Sequence, residues 1–298
     1  MNPAVSVIIP AYNHERFIGP AIDSVLGQGW DDLELLVIDD GSTDRTGEVA
    51  RGYTDPRLQY FYQENQDAFN TLNKGLDLAR GQFIAILNSD DIYMPDRLEQ
   101  LIRVQEQTGA QCLFTDVLPI DAHGEPLTDP AFGWNQWHRK NRDFYFSCGD
   151  LYTAFLKGNF MVTTSNLFMT REAAQKTGKF CSLRYLHDYD YIFRMMLAFP
   201  GQVHYLHDAR LLQYRIHGGN TLGEAAVLGR EQDKEVIRKY LLAGIAEECR
   251  QRVEAGADRL VELEQELFEV RAALQPSEEA GIRHQVRQLM KSLWRRVT

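Results

Sequence analysis

The stretch FIAILNSDDIYMPDRL, residues 83–98, decides the fold prediction. It opens with five consecutive apolar residues, 83–87, a pattern typical of a strand that is buried on both faces. The chain then turns polar, and two carboxylates, Asp90 and Asp91, stand side by side with no cation before Arg97. Two like charges at the end of a buried strand repel each other, so their placement needs an explanation.

Two explanations compete for the adjacent acids. Pro95 suits the first residue of a helix, because its φ is fixed and its missing N–H is not needed there. A helix cap near Met94 then leaves Asp90 and Asp91 too far upstream to bind the first free amides. The alternative explanation is that a cation, most simply a divalent metal ion, binds at these oxygens.

The segments around this stretch alternate between short apolar runs and helical stripes. The predicted strands are residues 5–10, 33–40, 58–62, 83–87 and 112–116, and the predicted helices are 15–28, a short one from about Asp44, 68–79 and 95–107. This alternation predicts an α/β fold with a doubly wound, mostly parallel sheet. In such sheets, ligands bind beyond the carboxyl ends of the strands. Polar pairs follow three of these strands: Tyr12-Asn13, Asp39-Asp40 and Asp90-Asp91.

The second half of the chain is less regular. Residues 117–150 lose periodicity and are rich in aromatic residues, which predicts an irregular loop that is either a packing cluster or a binding lid. A strand over 163–170 and a helix over 187–197 follow. From about residue 221 the chain looks helical and charged, so we predict one domain over 1–220 and a helical C-terminal extension over 221–298.

Composition excludes several classes of protein. The net charge of −10 over 298 residues argues against nucleic-acid binding, which needs a basic face. Four scattered cysteines without a CxxC pair fit a reduced, cytoplasmic setting and argue against a zinc site. We see no signal peptide, and no apolar run approaches the roughly 20 residues that span a bilayer.

The C-terminal region carries two amphipathic patterns. Leucines and a valine over 260–274 recur in steps of three and four, so residues 253–274 either pair two subunits or pack in a core. The final segment, 281–298, has five Lys or Arg and no acid, with apolar residues on one helical face. It either lies on an anionic membrane surface, at the inner face of the plasma membrane, or docks on protein.

Five motifs in this order carry a family resemblance. They are IIPAYN (8–13), VIDDGSTD (37–44), NSDDIYMPDRL (88–98), HDYD (187–190) and YRIHGGN (214–220). Together they resemble the inverting family 2 glycosyltransferases with a GT-A fold, over roughly residues 4–220. The resemblance implies a sugar-nucleotide donor whose leaving diphosphate is neutralised by Mg²⁺ or Mn²⁺. It implies Asp91 as metal ligand, with Asp90 near the ribose or the metal and His217 as a further ligand or diphosphate contact.

The resemblance also implies a nucleotide pocket. The residues expected to face the nucleotide are Pro10, Tyr12, Asn13, Asp39, Asn73, Lys74 and Asp90. Asp39 would accept a hydrogen bond from the imide N–H of uracil or thymine, or from guanine, and Tyr12 would pack against the base. Alternative interpretations are a strand-end acid for Asp39, a core-edge ring for Tyr12 and a solvated helix charge for Lys74.

The acceptor hydroxyl must lose its proton as it attacks, and a carboxylate within reach can act as general base. By the family pattern this residue is Asp188, with His187 where Glu is common in relatives. Asp188 could instead cap the following helix, and capping does not exclude catalysis. Asp190 lies on another helix face and is predicted to be structural.

These expectations define an inverting, metal-dependent glycosyltransferase that moves one sugar from a nucleotide-diphosphate donor, preferably a UDP-sugar. The acceptor would be a glycan or lipid-linked sugar in bacterial surface polysaccharide or glycolipid assembly, by family analogy. Processive polysaccharide synthases of this family have a QxxRW motif and a membrane span. We see neither in this sequence, which favours addition of single sugars. The alternatives are a sugar-1-phosphate nucleotidyltransferase, whose glycine-rich basic loop is missing here, and a catalytically silent sugar-nucleotide binder or scaffold.

Overall fold

The computed structural model describes residues 2–183 and 186–218 and, beyond them, only isolated positions between 235 and 266. The chain divides into two compact units, residues 1–225 and residues 226–298. The domain boundary predicted after residue 220 remains a prediction. The patterns at 253–274 and 281–298 lie outside the described residues, apart from single helical positions in the first. Within the part of the chain that is described, no helix is both long and apolar enough to cross a membrane.

The first unit alternates strands and helices, as predicted. Its strands are β1 (Val5–Ala11), β2 (Leu33–Asp39), β3 (Leu58–Tyr62), β4 (Phe83–Ile86), β5 (Ile92–Tyr93), β6 (Cys112–Ile120), β7 (Phe168–Thr170) and β8 (Val203–Arg215). Its helices are α1 (Ile18–Leu26), α2 (Thr46–Arg51), α3 (Ala68–Leu78), α4 (Arg97–Thr108), α5 (Gly133–Cys148), α6 (Leu151–Lys157), α7 (Arg171–Thr177) and α8 (His187–Ala198). A 3₁₀ turn over Thr164–Asn166 precedes β7.

The strands form one sheet in the order β3-β2-β1-β4-β7-β6-β8-β5. β1 pairs in parallel with β2 and β4, and β2 pairs in parallel with β3. β7 runs antiparallel to both β4 and β6, so β6 and the parallel β8 point the same way as β4. The carboxyl ends of β1, β2, β4 and β8 therefore lie at one edge of the sheet. Four of the five sequence motifs lie at these strand ends.

Helices cover both faces of the sheet, as the unalternating strands predict. On one face, Val5, Val7 and Ile9 of β1 share a buried cluster with apolar residues of α1 and α4. Because successive strand residues point to opposite faces, Ile8 faces the other side. There α3 lies so close that a Cβ on Gly75 would overlap Ile8 Cγ2, which explains glycine at this helical position.

The segment 117–150 differs from the predicted irregular loop. Most of its second half is helix α5, followed directly by α6. Within α5, which the structure describes in full, the two buried residues, His138 and Asn141, are polar, so they interrupt the apolar pattern from which periodicity could have predicted the helix. Gly149, in the left-handed region with φ 67°, ends α5, and the Asp150 side chain accepts a hydrogen bond from Thr153 N to begin α6.

The structure also excludes the helix-cap explanation for the acidic pair. Helix α4 begins at Arg97, and its cap position is Asp96, whose side chain makes no capping hydrogen bond. Strand β5 lies between the acids and this helix, and it pairs with β8. Asp90 and Asp91 therefore sit in a turn between two strands of the sheet.

Candidate active site

One of the two acids after β4 lies in a group with two histidines. Ligand-capable atoms of His14, Asp90 and His217 all lie within 4.8 Å of one another. His217 Nε2 is 3.2 Å from Asp90 Oδ2, and the Asp90 side chain is only 13 % exposed. The three residues follow β1, β4 and β8, so the shared edge of these strands brings them together. We call His14, Asp90 and His217 the carboxylate–imidazole group.

His14 was not among the residues predicted to form the site. Its Nδ1 lies 2.7 Å from Ser89 Oγ, and when Nδ1 carries the proton of this hydrogen bond, the lone pair of Nε2 is available to a ligand. Burial lowers the pKa of His14, which favours the neutral imidazole. Phe17 packs against both imidazoles, with ring centroids 5.8 Å from His14 and 4.7 Å from His217. The sequence signal for this residue was a His just beyond a strand that ends at the binding edge.

Asp91, predicted to be the metal ligand, lies deeper than Asp90 and outside this group. Its Oδ2 accepts hydrogen bonds from Ser165 Oγ (2.5 Å) and Thr163 Oγ1 (3.3 Å), and its Oδ1 accepts one from Arg215 N (2.9 Å). It is 1 % exposed. The structure therefore brings His217 together with Asp90 and gives Asp91 the contacts of a residue that holds β8 and the Thr163–Ser165 segment in place.

The two acids also differ electrostatically. Burial and the neighbouring charge of Asp90 raise the pKa of Asp91 well above its usual range. Burial alone would raise the pKa of Asp90 too, but the hydrogen bond from His217 and the charge of His14 outweigh it and lower that pKa. These opposite pKa shifts reduce the repulsion between the two acids, because only Asp90 favours the ionised form. The Asp90 carboxylate contacts the His217 imidazole.

Asp39, the predicted contact to the nucleobase, lies at the end of β2 and is almost fully buried. Its Oδ1 accepts a hydrogen bond from Ser42 N (2.9 Å), and its Oδ2 accepts one from the Tyr60 hydroxyl (2.7 Å). Burial and the hydrogen bond to Asp39 raise the pKa of Tyr60, so its hydroxyl stays a donor. Each carboxylate oxygen has a second lone pair, so these bonds fix the carboxylate without exhausting its capacity as an acceptor.

The loop after β1 connects Asp39 with the carboxylate–imidazole group. Asn13 adopts φ 51°, and its Oδ1 accepts a hydrogen bond from Thr43 N (2.8 Å), while its own N–H donates to Ser42 Oγ (3.0 Å). His14 N donates to Thr46 Oγ1 (2.7 Å). Tyr12, at the tip of this loop, is 46 % exposed. Its ring is therefore accessible to a ligand rather than packed at the edge of the core.

Two of the predicted nucleotide contacts make other contacts. Asn73 uses both ends of its amide on the backbone of Phe180: its Nδ2 donates to the carbonyl (2.9 Å) and its Oδ1 accepts from the amide (2.7 Å). It thereby ties α3 to the segment after α7. Lys74 Nζ donates to Tyr62 O at 3.4 Å. Pro10, half-buried in β1, pairs in register with Ile38 of β2, next to Asp39.

A glycine on α2 supports the position of Asp39. A Cβ at Gly47 would lie 2.5 Å from Asp39 Oδ2 and 2.6 Å from the Tyr60 hydroxyl oxygen. We expect Gly47→Ala to push this pair apart, to destabilise the fold by about 1–3 kcal/mol as overpacking does, and to weaken nucleotide binding. Thermal melts with and without UDP measure both effects.

Gly19→Ala in α1 is the matched control for this substitution, because its added Cβ meets nothing closer than 3.6 Å among the described residues. It is expected to leave the melting temperature unchanged or to raise it, since Ala favours a helix interior over Gly. If Gly47→Ala melts and binds UDP as the unmodified chain does, the proposed close packing of α2 on Asp39 is wrong.

Asp188, the predicted general base, lies in the first turn of α8. The N-terminal cap position is Leu186, which makes no side-chain capping bond, so Asp188 is not the cap of this helix. Its Oδ2 accepts a hydrogen bond from Asn159 Nδ2 (3.1 Å), and its Oδ1 accepts one from Tyr189 N (2.8 Å). Burial raises the pKa of Asp188, which suits a carboxylate that must take up a proton. Asp190, by contrast, pairs with Arg194 at 2.7 Å, as a structural acid does.

The segment from Asn159 to Ser165 contacts both acidic regions. Asn159 binds Asp188, and Thr163 and Ser165 bind Asp91. Within it, Val162 has φ 80°, a conformation that a β-branched residue adopts only under constraint and that clusters at functional sites. One short segment therefore fixes the position of the α8 carboxylate relative to the turn after β4.

Two further motif residues contact the same segment. Asn88 donates from Nδ2 to Thr163 Oγ1 (2.9 Å) and from its backbone N–H to Ser165 Oγ (2.8 Å). His187 Nε2 lies 3.3 Å from Thr164 Oγ1. Burial and the charges of Asp91, Asp90 and Asp188 raise the pKa of the Tyr214 hydroxyl.

The doubly wound sheet, with acids, imidazoles and an exposed tyrosine at its carboxyl edge, agrees with the GT-A fold that the sequence motifs resemble. The sequence model of "Glycosyl transferase family 2" matches residues 6–177, more than half of the chain. The chain belongs to glycosyltransferase family 2 and is a glycosyltransferase.

Relatives cover a similar part of the chain. An uncharacterised glycosyltransferase of Rickettsia typhi is 30 % identical over 229 residues, which are 75 % of this chain and 67 % of the relative. The chondroitin synthase of Escherichia coli is 26 % identical over 243 residues, 80 % of this chain but only 33 % of that protein. This chain therefore corresponds to one part of that larger enzyme.

Solved structures share the fold. Residues 1–349 of TarS from S. aureus in complex with UDP-GlcNAc align with a TM-score of 0.63 and 18 % identity, covering 86 % of this chain and 71 % of that one. The mannosyltransferase PcManGT of Pyrobaculum calidifontis in complex with GDP-Man and Mn²⁺ aligns with a TM-score of 0.61 and 18 % identity, covering 97 % and 81 %. At these identities the likeness shows the GT-A fold.

Proposed function

We propose that this protein is an inverting, metal-dependent glycosyltransferase that moves one sugar from a nucleotide-diphosphate donor to a hydroxyl acceptor. The observation that carries the proposal is the Asn159–Ser165 segment. It hydrogen-bonds Asp188 at one end and Asp91, the neighbour of Asp90, at the other. The segment thus connects a buried carboxylate with a raised pKa to the turn that carries an ionised carboxylate and contacts an imidazole, and activation of an acceptor and binding of a diphosphate need such groups.

The reaction is one displacement at the anomeric carbon. Asp188 accepts the proton of the acceptor hydroxyl while the acceptor oxygen forms its bond to that carbon. The bond from the carbon to the diphosphate oxygen breaks, and the nucleoside diphosphate departs with the electron pair. Because attack and departure occur on opposite faces of the sugar, the configuration inverts. Asn159 orients Asp188 through its Nδ2, and burial of the carboxylate strengthens it as a base.

The carboxylate–imidazole group fits a divalent cation. It offers one carboxylate oxygen and two imidazole nitrogens within 4.8 Å, and burial favours the neutral form of His14 that a ligand needs. Imidazole nitrogens suit Mn²⁺ better than Mg²⁺, which prefers oxygen. When bound, the metal ion would neutralise charge on the leaving diphosphate. We therefore assign this role to His14, Asp90 and His217 in place of the sequence-based assignment to Asp91.

The donor is proposed to be a UDP-sugar. Asp39 is fixed at the end of β2 with acceptor capacity to spare, and the exposed Tyr12 ring stands on the loop that connects it to His14. Support comes from fold neighbours in complex with UDP-GlcNAc, with GDP-Man and Mn²⁺ and, for glucosyl-3-phosphoglycerate synthase of Mycobacterium tuberculosis, with UDP and Mg²⁺. Pro10 and Asn13 shape this pocket through backbone position.

A thermal-shift panel tests the donor proposal. We expect UDP-sugars with Mn²⁺ to raise the melting temperature more than GDP-sugars or dTDP-sugars do, and more than either UDP-sugar or Mn²⁺ does alone. Saturation at 100 times Kd corresponds to about 2.7 kcal/mol of stabilisation, which is a shift of several degrees. If no nucleotide sugar shifts the melt with or without Mn²⁺, the proposal of a donor site fails.

The cellular role is proposed from the family and from the C-terminal sequence. We propose a cytoplasmic enzyme of bacterial surface polysaccharide or glycolipid assembly, with a glycan or lipid-linked sugar as acceptor. Residues 281–298 would contact an anionic membrane and 253–274 would pair two subunits, as their sequence patterns indicate. Liposome binding measured against salt, for the full chain and for a truncation at residue 276, tests the membrane contact.

A further inference from the structure

A cavity of about 490 Å³ lies beside the candidate active site, between α5 and strands β6 and β8. Its size is that of a ligand pocket, which typically measures roughly 300–1,000 Å³. None of the described residues assigned to the donor, the metal or the base lines it. Its polar lining residues include Asp116, His138, Arg139, Arg142, Asp143 and Arg210.

The floor of this cavity carries more positive than negative charge. The buried carboxylate of Asp116 is approached by Arg142 Nη1 at 2.9 Å and by Arg210 Nε at 3.2 Å, so two guanidinium groups share one acid. Burial lowers the pKa of the neighbouring His138 to about 4, which makes it neutral near pH 7. Arg142 is further held by a hydrogen bond from Nη2 to His207 O (3.1 Å).

Arg210 differs from Arg142 in being accessible. Its side chain is 61 % exposed, and it pairs with Asp116 through Nε. Its two Nη groups can therefore donate to a ligand, and the planar fork of a guanidinium matches a carboxylate or a phosphate. Arg139, one turn before Arg142 on α5, adds a second exposed guanidinium to the lining, although its Nη2 already donates to Pro130 O (2.9 Å).

Apolar and aromatic residues also line the cavity, and the Arg142 guanidinium carbon lies 5.7 Å from the centroid of the Phe146 ring. Phe146 lines the cavity with a ring that is 51 % exposed, although Phe is usually buried in a folded chain. Val117, Leu118, Pro119 and Leu127 extend this surface. A surface that combines an exposed ring with two guanidinium groups fits a ligand with a C–H face and an anionic substituent, as in a sugar ring that bears a carboxylate or a phosphate.

Two stacked rings connect the lining of the cavity with the candidate active site. Trp134, in its lining, stacks on Tyr214 with ring centroids 5.9 Å apart, and the Tyr214 hydroxyl lies in the field of Asp90, Asp91 and Asp188. Along β8, Arg210 in the cavity precedes Arg215 beside Asp91 by five residues with a β-bulge between them, and the two pair with Asp116 and Ile120 of β6, a span of about 13 Å at the rise of a strand. A ligand longer than one sugar could reach from one to the other.

We propose that this cavity binds an acidic sugar unit of the acceptor, remote from the hydroxyl that attacks the donor, with Arg210 as its main contact. The assignment of the acid to the acceptor rests on the proposed function. The existence of an acidic-sugar site does not, because it depends only on residues outside the donor and metal sites.

Ligand-observed NMR titrations without metal ions test the site. The probes are glucuronic acid for the carboxylate arm, glucose 6-phosphate for the phosphate arm and glucose as the neutral reference. We expect saturable binding of one or both acids and weaker binding of glucose. Arg210→Gln is expected to weaken the binding of the two acids by about tenfold or more, which is the typical effect of losing a charge-assisted hydrogen bond. Arg103→Gln, an exposed arginine that pairs with Glu99 on α4, is the matched control and is expected to change nothing.

Several outcomes would overturn the site: no saturable binding of either acid, binding of glucose equal to that of the acids, an unchanged affinity in Arg210→Gln, or displacement by UDP. If Arg210→Gln folds poorly, the unmodified protein still tests the site. Its affinity for glucuronic acid and glucose 6-phosphate must fall as ionic strength rises, because salt screens the attraction between opposite charges. Acid binding without any thermal shift by UDP and Mn²⁺ would refute the donor proposal and leave the acidic-sugar site standing.

Discussion

Asp188→Asn is expected to slow sugar transfer by about 10²–10⁴-fold, the usual contribution of a general base, while UDP still binds. The substitution keeps the shape of the side chain but removes the oxygen that takes up the proton. Asn159 can adapt to it, because its Oδ1 is buried without a hydrogen-bond partner among the described residues and can accept from the new amide after rotation. Transfer rates and UDP binding, measured on the same preparation, separate chemistry from donor affinity.

The same substitution is expected to leave the melting temperature unchanged or to raise it. Burial raises the pKa of Asp188 in the folded state, so the ionised carboxylate is less stable there than in the unfolded chain. Its destabilising effect is therefore absent below the unfolded pKa and grows as pH rises through the folded pKa. Asn carries no charge at any pH, so it removes this effect near neutrality and trades activity for stability.

The contrast within helix α8 provides the control. Asp190→Asn breaks the buried pair with Arg194, so it is expected to lower the melting temperature while transfer per folded molecule changes little. The general-base assignment is refuted if Asp188→Asn retains transfer within a few-fold, or if Asp190→Asn, once folded, loses as much activity as Asp188→Asn does.

The pH profile of the unmodified enzyme gives an independent check on the base. Only the ionised form of Asp188 can accept the proton, so kcat/KM should fall as pH decreases through its pKa. Because burial raises that pKa, the fall should begin above the pH at which an ordinary aspartate, with a pKa of about 3.9, becomes protonated.

The sheet and the edge that binds ligands were predictable from the sequence. β1, β2 and β4 are short unalternating apolar runs, and each ends in polar residues. Because parallel strands share a direction, these ends had to meet at one edge, so the neighbourhood of Asp39 and Asp90 followed from strand pattern alone. Helix α5 did not follow, since its buried residues, His138 and Asn141, are polar and interrupt the apolar pattern.

The detailed roles of neighbouring residues were not predictable, because they depend on contacts distant in sequence. Asn73 binds the backbone of Phe180, 107 residues later, and nothing near Asn73 in the sequence indicates this partner. His14 reaches the site because its loop is held by Ser42 and Thr46, about 30 residues further on. Which of two adjacent acids turns inward depends on Arg215 N, 124 residues from Asp91.

Asp90→Asn and Asp91→Asn are expected to differ in kind. Asp90→Asn removes the one carboxylate of the carboxylate–imidazole group, so Mn²⁺ should bind more weakly and transfer should fall on the order of 10²-fold or more, because a bound metal ion supplies several kcal/mol of charge stabilisation. Asp91→Asn replaces an acceptor of three hydrogen bonds with a group that accepts at only one end, so it should lower the melting temperature and leave Mn²⁺ binding by the folded protein near normal.

Titration of Mn²⁺ into nucleotide-free protein, followed by electron paramagnetic resonance, distinguishes the two acids without relying on turnover. Weaker Mn²⁺ binding in Asp90→Asn, with normal binding in Asp91→Asn, supports the group of His14, Asp90 and His217. The reverse result, with Asp91→Asn folded but unable to bind Mn²⁺, would return the ligand role to Asp91, as the sequence pattern indicates. It would also mean that the turn after β4 rearranges on metal binding, because the Asp91 carboxylate must first release Ser165 and Arg215.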